Sequence, residues 1–221
     1  RTPMNGIIGT AELLIESLDT AKHKNYTNTI LRSAENLLYI INDILDFSKM
    51  EANELELERL PVVINALLSE VIQLLSSKAI ERNVELAVRS THEIPLAIWG
   101  DPLRLRQVLI NLVGNALKFT QTGGVHLKLS AVKNNTGSDV ELFYEVKDTG
   151  PGISPEDQRL IFEEFAQADS ESTREHGGAG LGLAISQRII REMGGEITIQ
   201  SAIDQGSVFS FKITVPIIKD A

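Results

Sequence analysis

Three short stretches carry residue types that do chemistry, at spacings that would let them act together. In NLVGNALKFT, Asn111 and Asn115 stand four residues apart and so share a helix face, with Lys118 one turn further along the same side. Two amides and an ammonium on an otherwise apolar helix (Leu109, Ile110, Leu112, Val113, Leu117) require polar partners. A hard cation such as Mg²⁺ bound to phosphates supplies them, because amide oxygen is a hard ligand and a lysine ammonium is a counter-charge for phosphate. In DTGPGI, at the end of the strand LFYEVKD, Asp148 can accept a hydrogen bond from an exocyclic amine. Gly150 and Gly152 remove side chains that would keep a flat base from the backbone. In GGAGLGLAI, Gly177, Gly178, Gly180 and Gly182 lead into a helix whose free N–H groups and positive dipole end suit phosphate oxygens.

Each signal alone is weak: a G-x-G loop is more often a plain turn, and a pair of Asn on a helix is more often solvated than metal-bound. A dinucleotide-binding βαβ unit is excluded, since GGAGLGLA follows a polar loop and not a strand.

The elements that must position these residues follow from periodicity. Asp101–Phe119 reads as a helix with Asp101 as N-cap and Pro102 at its first position. Ile64–Ala79 reads as an amphipathic helix, and Val84–Val88 and Ala97–Trp99 as short strands. VHLKLSAV and VELFYEVKD are longer strands joined by the turn-forming KNNTGSD. A short helix near Pro155–Phe162, a helix over Gly180–Met193 and the strands EITIQSA and SVFSFKITV complete an α+β sandwich of helices on a mostly antiparallel sheet.

Ahead of it lies a helical hairpin. Its second helix runs from Lys22 to about Asn53, with Ile30, Ala34, Leu37, Ile41 and Ile44 in one stripe widened by Leu31, Leu38 and Leu45. The first helix, Arg1 to about Leu18, covers part of that face through Ile7, Ala11, Leu14 and Leu18. The remainder calls for a second copy and a dimeric four-helix bundle, the alternative being a monomeric bundle against the following domain. The 221 residues carry 30 acidic and 21 basic side chains, a net charge of -9 that argues against a nucleic acid as main partner. There is no cysteine, hence no disulfide and no thiolate chemistry, and no apolar run approaches the ~20 residues of a membrane-spanning helix.

Together and in this order, the stretches resemble the histidine kinases of two-component signalling over nearly the whole chain. NLVGNALKFT resembles the N box, DTGPGI the G1 box, IFEEFAQ the F box and GGAGLGLAI the G2 box. ILDFSKMEANELELE resembles the end of the second helix of the dimerisation and phosphoacceptor domain, in the version common among hybrid sensor kinases. The resemblance implies a homodimerising phosphotransfer hairpin over 1–56 and a catalytic ATP-binding domain over 57–221, of the Bergerat-type α/β sandwich fold shared with Hsp90, gyrase B and MutL. It also implies a cytoplasmic chain, from a parent protein that can be membrane-anchored, passing phosphoryl groups from ATP to a histidine and on to an aspartate of a response-regulator receiver domain.

Residue by residue, the resemblance implies that Asp148 holds the adenine amine with Gly152 beneath the base, Gly150 and Ile153 belonging to the same nucleotide-binding set. It implies Asn115 as the Mg²⁺ ligand, Asn111 and Lys118 facing the phosphates, and Phe119 beside the base or ribose. Gly180, Leu181 and Gly182 would bind phosphate through their backbone, with Gly178 in the same set. Ala166–Gly178 would form a lid offering Gln167 and Arg174 as candidate phosphate contacts. ATP-hydrolysing members of the superfamily carry, four residues before the metal-binding Asn, a Glu that activates water; here that position is Asn111, which has no useful basicity. Two rivals remain, an ATPase of the gyrase and Hsp90 type and a nucleotide-binding dimerisation module without kinase activity.

The family's phosphoacceptor motif has the form H-E-x-R-T-P, and this sequence begins at its R-T-P part, so the acceptor histidine is expected three residues before Arg1. Pro3, Asn5, Gly6 and Gly9 then belong to the middle of a helix and not to a turn. Thr2, one turn past the missing histidine, would sit where such kinases use Thr or Asn to position water for dephosphorylation, the alternative being a Thr that merely fills a turn. His23, His92, His126 and His176 lie in other contexts, so the 221 residues are expected to bind Mg-ATP without phosphorylating themselves.

Overall fold

No Gly or Pro falls between Ala21 and Glu51, and this segment forms one helix of 31 residues, α1. The computed structural model describes residues 7–11, 14–15, 20–52, 55–91, 94–134, 138–164 and 180–218. They divide into two units, Arg1–Leu55 and Glu56–Ala221. In the first unit, residues 7–11 and 14–15 are helical, so Gly9 does lie within helix, while Pro3, Asn5 and Gly6 are outside the described residues. Thr20 Oγ1 accepts from the His23 N–H at 3.4 Å at the start of α1. The hydroxyls of Thr27, Thr29, Ser33 and Ser48 donate to carbonyls one turn back, which lets polar residues that disfavour helices sit within one. Ala11 and Ala34 are buried, whereas Ile30, Leu37 and Ile44 of the apolar stripe remain about half exposed.

The second unit opens with a strand that the sequence reading did not anticipate. β1 (Leu60–Val63) pairs antiparallel with β3 (Ala97–Gly100), Leu60 opposite Gly100 and Val63 opposite Ala97. Four residues are too few to show alternation, and Pro61 argues against a strand anywhere but at an edge, which is where β1 lies. Between them run α2 (Ile64–Arg82) and β2 (Glu85–Ser90). α2 continues three residues past the expected Ala79 and stops where Asn83 turns left-handed, at φ 54°, and returns its N–H to the Ala79 and Ile80 carbonyls.

Helix α3 (Pro102–Phe119) starts as its sequence dictates. Asp101 Oδ1 accepts from the Arg104 N–H at 3.0 Å, and Oδ2 accepts from the Glu58 N–H at 3.0 Å. One buried carboxylate thus caps the helix and ties down the segment entering the unit. β4 (Gly124–Lys133), β5 (Asp139–Asp148), the single turn α4 (Asp157–Leu160), α5 (Gly182–Glu192), β6 (Ile197–Ser201) and β7 (Ser207–Pro216) follow. The five-stranded sheet has the order β2-β4-β5-β7-β6 and is antiparallel except for the parallel β2–β4 pair. Val125, Leu127 and Leu129 on β4, Val140, Leu142, Tyr144 and Val146 on β5, and Phe209, Phe211 and Ile213 on β7 are buried, and exposed Lys128, Lys147 and Lys212 alternate with them. One face alone is therefore covered, by α2, α3 and α5, and the expected α+β sandwich is borne out. Among the described residues no helix is long and apolar enough to cross a membrane.

Tyr144 stacks on Phe211 at 4.7 Å between ring centroids, and its buried hydroxyl has no hydrogen-bond partner among the described residues. Burial also pushes its ionisation well above the ordinary tyrosine range. Since a buried unpaired hydroxyl costs about 1–3 kcal/mol, Tyr144→Phe should leave stability unchanged or raise it by about 1 kcal/mol in urea unfolding. A clear loss of stability would show that the hydroxyl has a partner.

Candidate functional site

α3 buries Leu105, Val108, Leu109, Leu112, Val113, Ala116 and Leu117, and the strip left over carries Asn111, Asn115 and Lys118, all half-buried. The amides form a short chain. Asn111 Nδ2 donates to Ser186 Oγ on α5 at 2.9 Å, and Asn115 Nδ2 donates to Asn111 Oδ1 at 3.4 Å. Asn115 Oδ1 is left without a partner among the described residues. The Lys118 ammonium lies 5.0 Å from the centre of the Phe119 ring and makes no hydrogen bond among the described residues. Burial, and secondly the nearby Arg82 guanidinium, hold its pKa below the ordinary lysine value. Arg82 Nη1 donates to the Lys118 carbonyl at 2.7 Å and the Leu117 carbonyl at 3.4 Å, so the end of α2 caps the end of α3.

Asp148, at the end of β5, is buried, and its two oxygens have different duties. Oδ1 accepts from the Gly150 N–H at 2.8 Å and the Ser207 N–H at 3.1 Å, while Oδ2 has no partner among the described residues. Burial raises the carboxyl above the usual carboxylate range, opposed by those two N–H groups. A β-carbon on Gly150 would stand 2.9 Å from Asp148 Oδ1 and 3.4 Å from the Phe119 carbonyl oxygen, so the loop lies directly against the end of α3. Gly152 has φ +73°, and a β-carbon there would collide with the Ala202 carbonyl. The loop is further bound to the turn before β7 by the Asp204 N–H donating to the Pro151 carbonyl at 2.7 Å and the Ile153 N–H donating to Ser201 Oγ at 2.9 Å. Glycine at 152 is thus demanded by the fold itself, a reason the sequence reading did not supply.

α5 begins without a side-chain cap at Leu181, and its first intrahelical bond runs from the Ile185 N–H to the Leu181 carbonyl. The N–H groups of Gly182, Leu183 and Ala184 precede that bond and are the orphan donors of the helix start. A β-carbon on Gly182 would stand 2.5 Å from Asn111 Oδ1, which is why this helix can sit so close to α3. Gly177, Gly178, Gln167, Arg174 and Thr2, together with the expected lid, lie outside the described residues.

The fold therefore brings the N-box residues against both glycine segments: Gly150 at one end of α3 and Gly182 at its middle. Sequence reasoning missed Ser186, Ser207 and Arg82. Ser186 had a signal, since it lies four residues after Gly182 and shares its helix face. Ser207 and Arg82 had none, because their partners lie 59 and 36 residues away. Among the described residues no group of three or more His, Cys, Asp or Glu could hold a metal. The free amide oxygen of Asn115 suits Mg²⁺, which keeps most of its coordination as water and substrate phosphate.

Comparison with known proteins bears on the family resemblance. Residues 100–217 match the family model described as histidine kinase-, DNA gyrase B-, and HSP90-like ATPase, and residues 1–53 match the His Kinase A (phospho-acceptor) domain. The chain is 43% identical over 215 residues to the signal transduction histidine-protein kinase BarA of Escherichia coli, covering 97% of this chain and 23% of that protein. It is 44% identical over 216 residues to the sensor protein GacS of Pseudomonas syringae pv. syringae, covering 98% and 24%. It is 42% identical over 224 residues to hybrid signal transduction histidine kinase A of Dictyostelium discoideum, covering 99% and 10%. The chain thus spans less than a quarter of the length of these curated relatives. The crystal structure of full-length ShkA in complex with AMPPNP superposes with a TM-score of 0.78 at 38% identity, over 99% of this chain and 44% of that one. The histidine kinase AdeS of Acinetobacter baumannii shares the fold, with a TM-score of 0.64 at 21% identity over 95% and 94%. The chain belongs to the histidine kinase-, DNA gyrase B- and HSP90-like ATPase family, in the arrangement of hybrid sensor histidine kinases, where that domain follows a His Kinase A phospho-acceptor domain.

Proposed function

We propose that this chain is the core of a sensor histidine kinase, with a dimerisation and phosphotransfer domain over 1–56 and a catalytic domain over 57–221. The second binds Mg-ATP and delivers its γ-phosphoryl to a histidine, from which it passes to a receiver-domain aspartate. The observation that carries this reading is the seating of both glycine segments on the polar strip of α3, at Gly150 and at Gly182. Asp148 Oδ2 accepts from the adenine amine while Oδ1 stays held by Gly150 and Ser207. Gly152 and Ile153 complete that loop, and the Phe119 ring flanks the base or ribose. Asn115 Oδ1 holds Mg²⁺, which neutralises phosphate charge when bound. Lys118, and the N–H groups of the α5 start with Gly180 and Leu181, take phosphate oxygens.

Asn111 faces the phosphates but cannot abstract a proton from water, which favours transfer over hydrolysis. Catalysis then rests on positioning and charge neutralisation. Roles for Gly178, Gln167 and Arg174 in a lid, and for Thr2 in dephosphorylation, rest on the resemblance alone. The half-exposed stripe of Ile30, Leu37 and Ile44 supports a second copy of the chain as the partner of the first unit. Action on ATP and a receiver domain places the chain in the cytoplasm.

Four outcomes check this reading. Asp148→Asn keeps an oxygen for the two N–H groups but turns a donor toward the adenine amine, so ATP affinity measured by calorimetry should fall about 30-fold or more. Because burial raises the Asp148 carboxyl, its charged form costs stability once pH climbs through the folded pKa. Nucleotide-free Asp148→Asn should therefore match or exceed the parent in urea unfolding at neutral pH and lose that advantage near pH ~4. With γ-labelled ATP, the 221-residue polypeptide should label none of its own histidines, should label a supplied histidine-bearing phosphoacceptor domain, and should release no free phosphate; steady phosphate release would instead favour the gyrase-type ATPase. Leu37→Glu should convert a dimer to a monomer in sedimentation, and an unchanged dimer would remove α1 from the interface.

A further inference from the structure

We infer that Ser201 is a positioning residue for recognition of the base: its hydroxyl clamps the peptide unit whose N–H holds Asp148 Oδ1, and so keeps Asp148 Oδ2 aimed at the adenine amine. The inference rests on the reading of Asp148 as the acceptor of that amine and adds what holds it there. The Ser207 N–H that donates to Asp148 Oδ1 at 3.1 Å belongs to the Gly206–Ser207 peptide. The carbonyl of that same peptide accepts from Ser201 Oγ at 2.8 Å. A carbonyl can only accept and a backbone N–H can only donate, so these partners allow the hydroxyl one arrangement. Its proton goes to the Gly206 carbonyl and a lone pair takes the Ile153 N–H at 2.9 Å; Ser207 Oγ, 3.0 Å away, is then the donor of the serine pair.

The clamp matters because of where that peptide lies. Gly206 has φ +77° and no side chain to restrict rotation, so a peptide plane beside it turns at little cost unless it is held. A β-carbon at 206 would collide with the Asp148 carbonyl, so a bulkier, stiffer residue is not an option there. Stiffness has to come from hydrogen bonds at the two ends of the plane, Ser201 at its oxygen and Asp148 at its nitrogen. Of the two N–H groups on Asp148 Oδ1, that of Gly150 comes from the same loop two residues on, whereas that of Ser207 comes from β7 and fixes the carboxylate against the sheet. Loss of the hydroxyl does not part the DTGPGI loop from the end of β6. Gln158 Nε2 still donates to the Ile153 carbonyl at 2.7 Å and the Ser201 carbonyl at 2.9 Å, and the Asp204 N–H to the Pro151 carbonyl at 2.7 Å. What goes is the grip on the Gly206–Ser207 plane, which those ties do not touch.

The test reads base recognition separately from the rest of nucleotide binding. Calorimetry in Mg²⁺ compares ATP with purine riboside triphosphate, which carries hydrogen in place of the exocyclic amine, on the 221-residue chain and its variants. The parent should prefer ATP by about tenfold or more, the worth of a hydrogen bond to a carboxylate. Ser201→Ala should cut that preference about fivefold, by weakening ATP, and should shift affinity for the analogue less than about twofold. Ser201→Cys, which nearly keeps the volume with a weaker donor and acceptor, should move the preference the same way by less. Without the amine contact the serine has nothing left to position, so in the Asp148→Asn background Ser201→Ala should leave the preference unchanged. Both ligands weakened alike, an undiminished preference in both Ser201 variants, or a further fall of the preference in the Asp148→Asn background would overturn the inference. If the parent itself prefers neither ligand, the reading of Asp148 falls and the inference with it, a result distinct from the other three.

Discussion

Helix α3 has to be two things along one length. Seven of its side chains are buried toward the sheet and the neighbouring helices, and at about 1.5–3 kcal/mol for each large apolar side chain their burial outweighs anything the polar strip contributes to stability. That burial leaves the other side of the helix free to be polar, and Asn111, Asn115 and Lys118 form a line along it. The remaining chemistry of the unit is arranged around this line: Gly150 meets the carbonyl at one end and Gly182 meets Asn111 at the middle. Arg82 closes the C-terminal carbonyls, and Asp101 closes the N-terminal amides. A helix anchored at both ends and along its core face holds its polar strip to a fixed geometry, as positioning catalysis requires.

Two buried aspartates illustrate how the same side chain serves stability in one place and binding in another. Each carboxylate oxygen of Asp101 accepts from a backbone N–H group, of Arg104 or Glu58, so this buried side chain serves the fold at both ends. Asp148 satisfies one oxygen twice over and leaves the other unpaired, and its raised pKa records the strain of keeping a partly satisfied carboxylate out of water. An incompletely satisfied buried acid is costly to the fold, and a ligand donor that completes it recovers that cost on binding.

Much of this was legible in the residues. The N-cap at Asp101 with Pro102, the one-sided alternation of β4, β5 and β7, and the long helix from Lys22 all follow from local rules, because capping, pleat and helical periodicity are properties of neighbouring residues. β1 escaped, since four residues with a proline carry no periodic signal, and so did the left-handed stop at Asn83 that extends α2 to Arg82. The order and spacing of Asn111, Asn115, Asp148 and the two glycine segments identified the family without any coordinates, because each segment's chemistry is read over ten residues or fewer.

What those residues face was decided only by the tertiary structure. Gly152 was read as room for a base, and its missing side chain accommodates the Ala202 carbonyl. Asn111 was read as facing phosphate, and its amide is also the middle link between Ser186 and Asn115. Asp148 was read as an acceptor, and the Ser207 N–H that holds it arrives from a strand 59 residues away. The sequence by itself determined which groups could do the chemistry and which local elements carry them. Their partners depend on sheet order and helix docking, long-range contacts settled by burial of the whole core, and no local pattern encodes them.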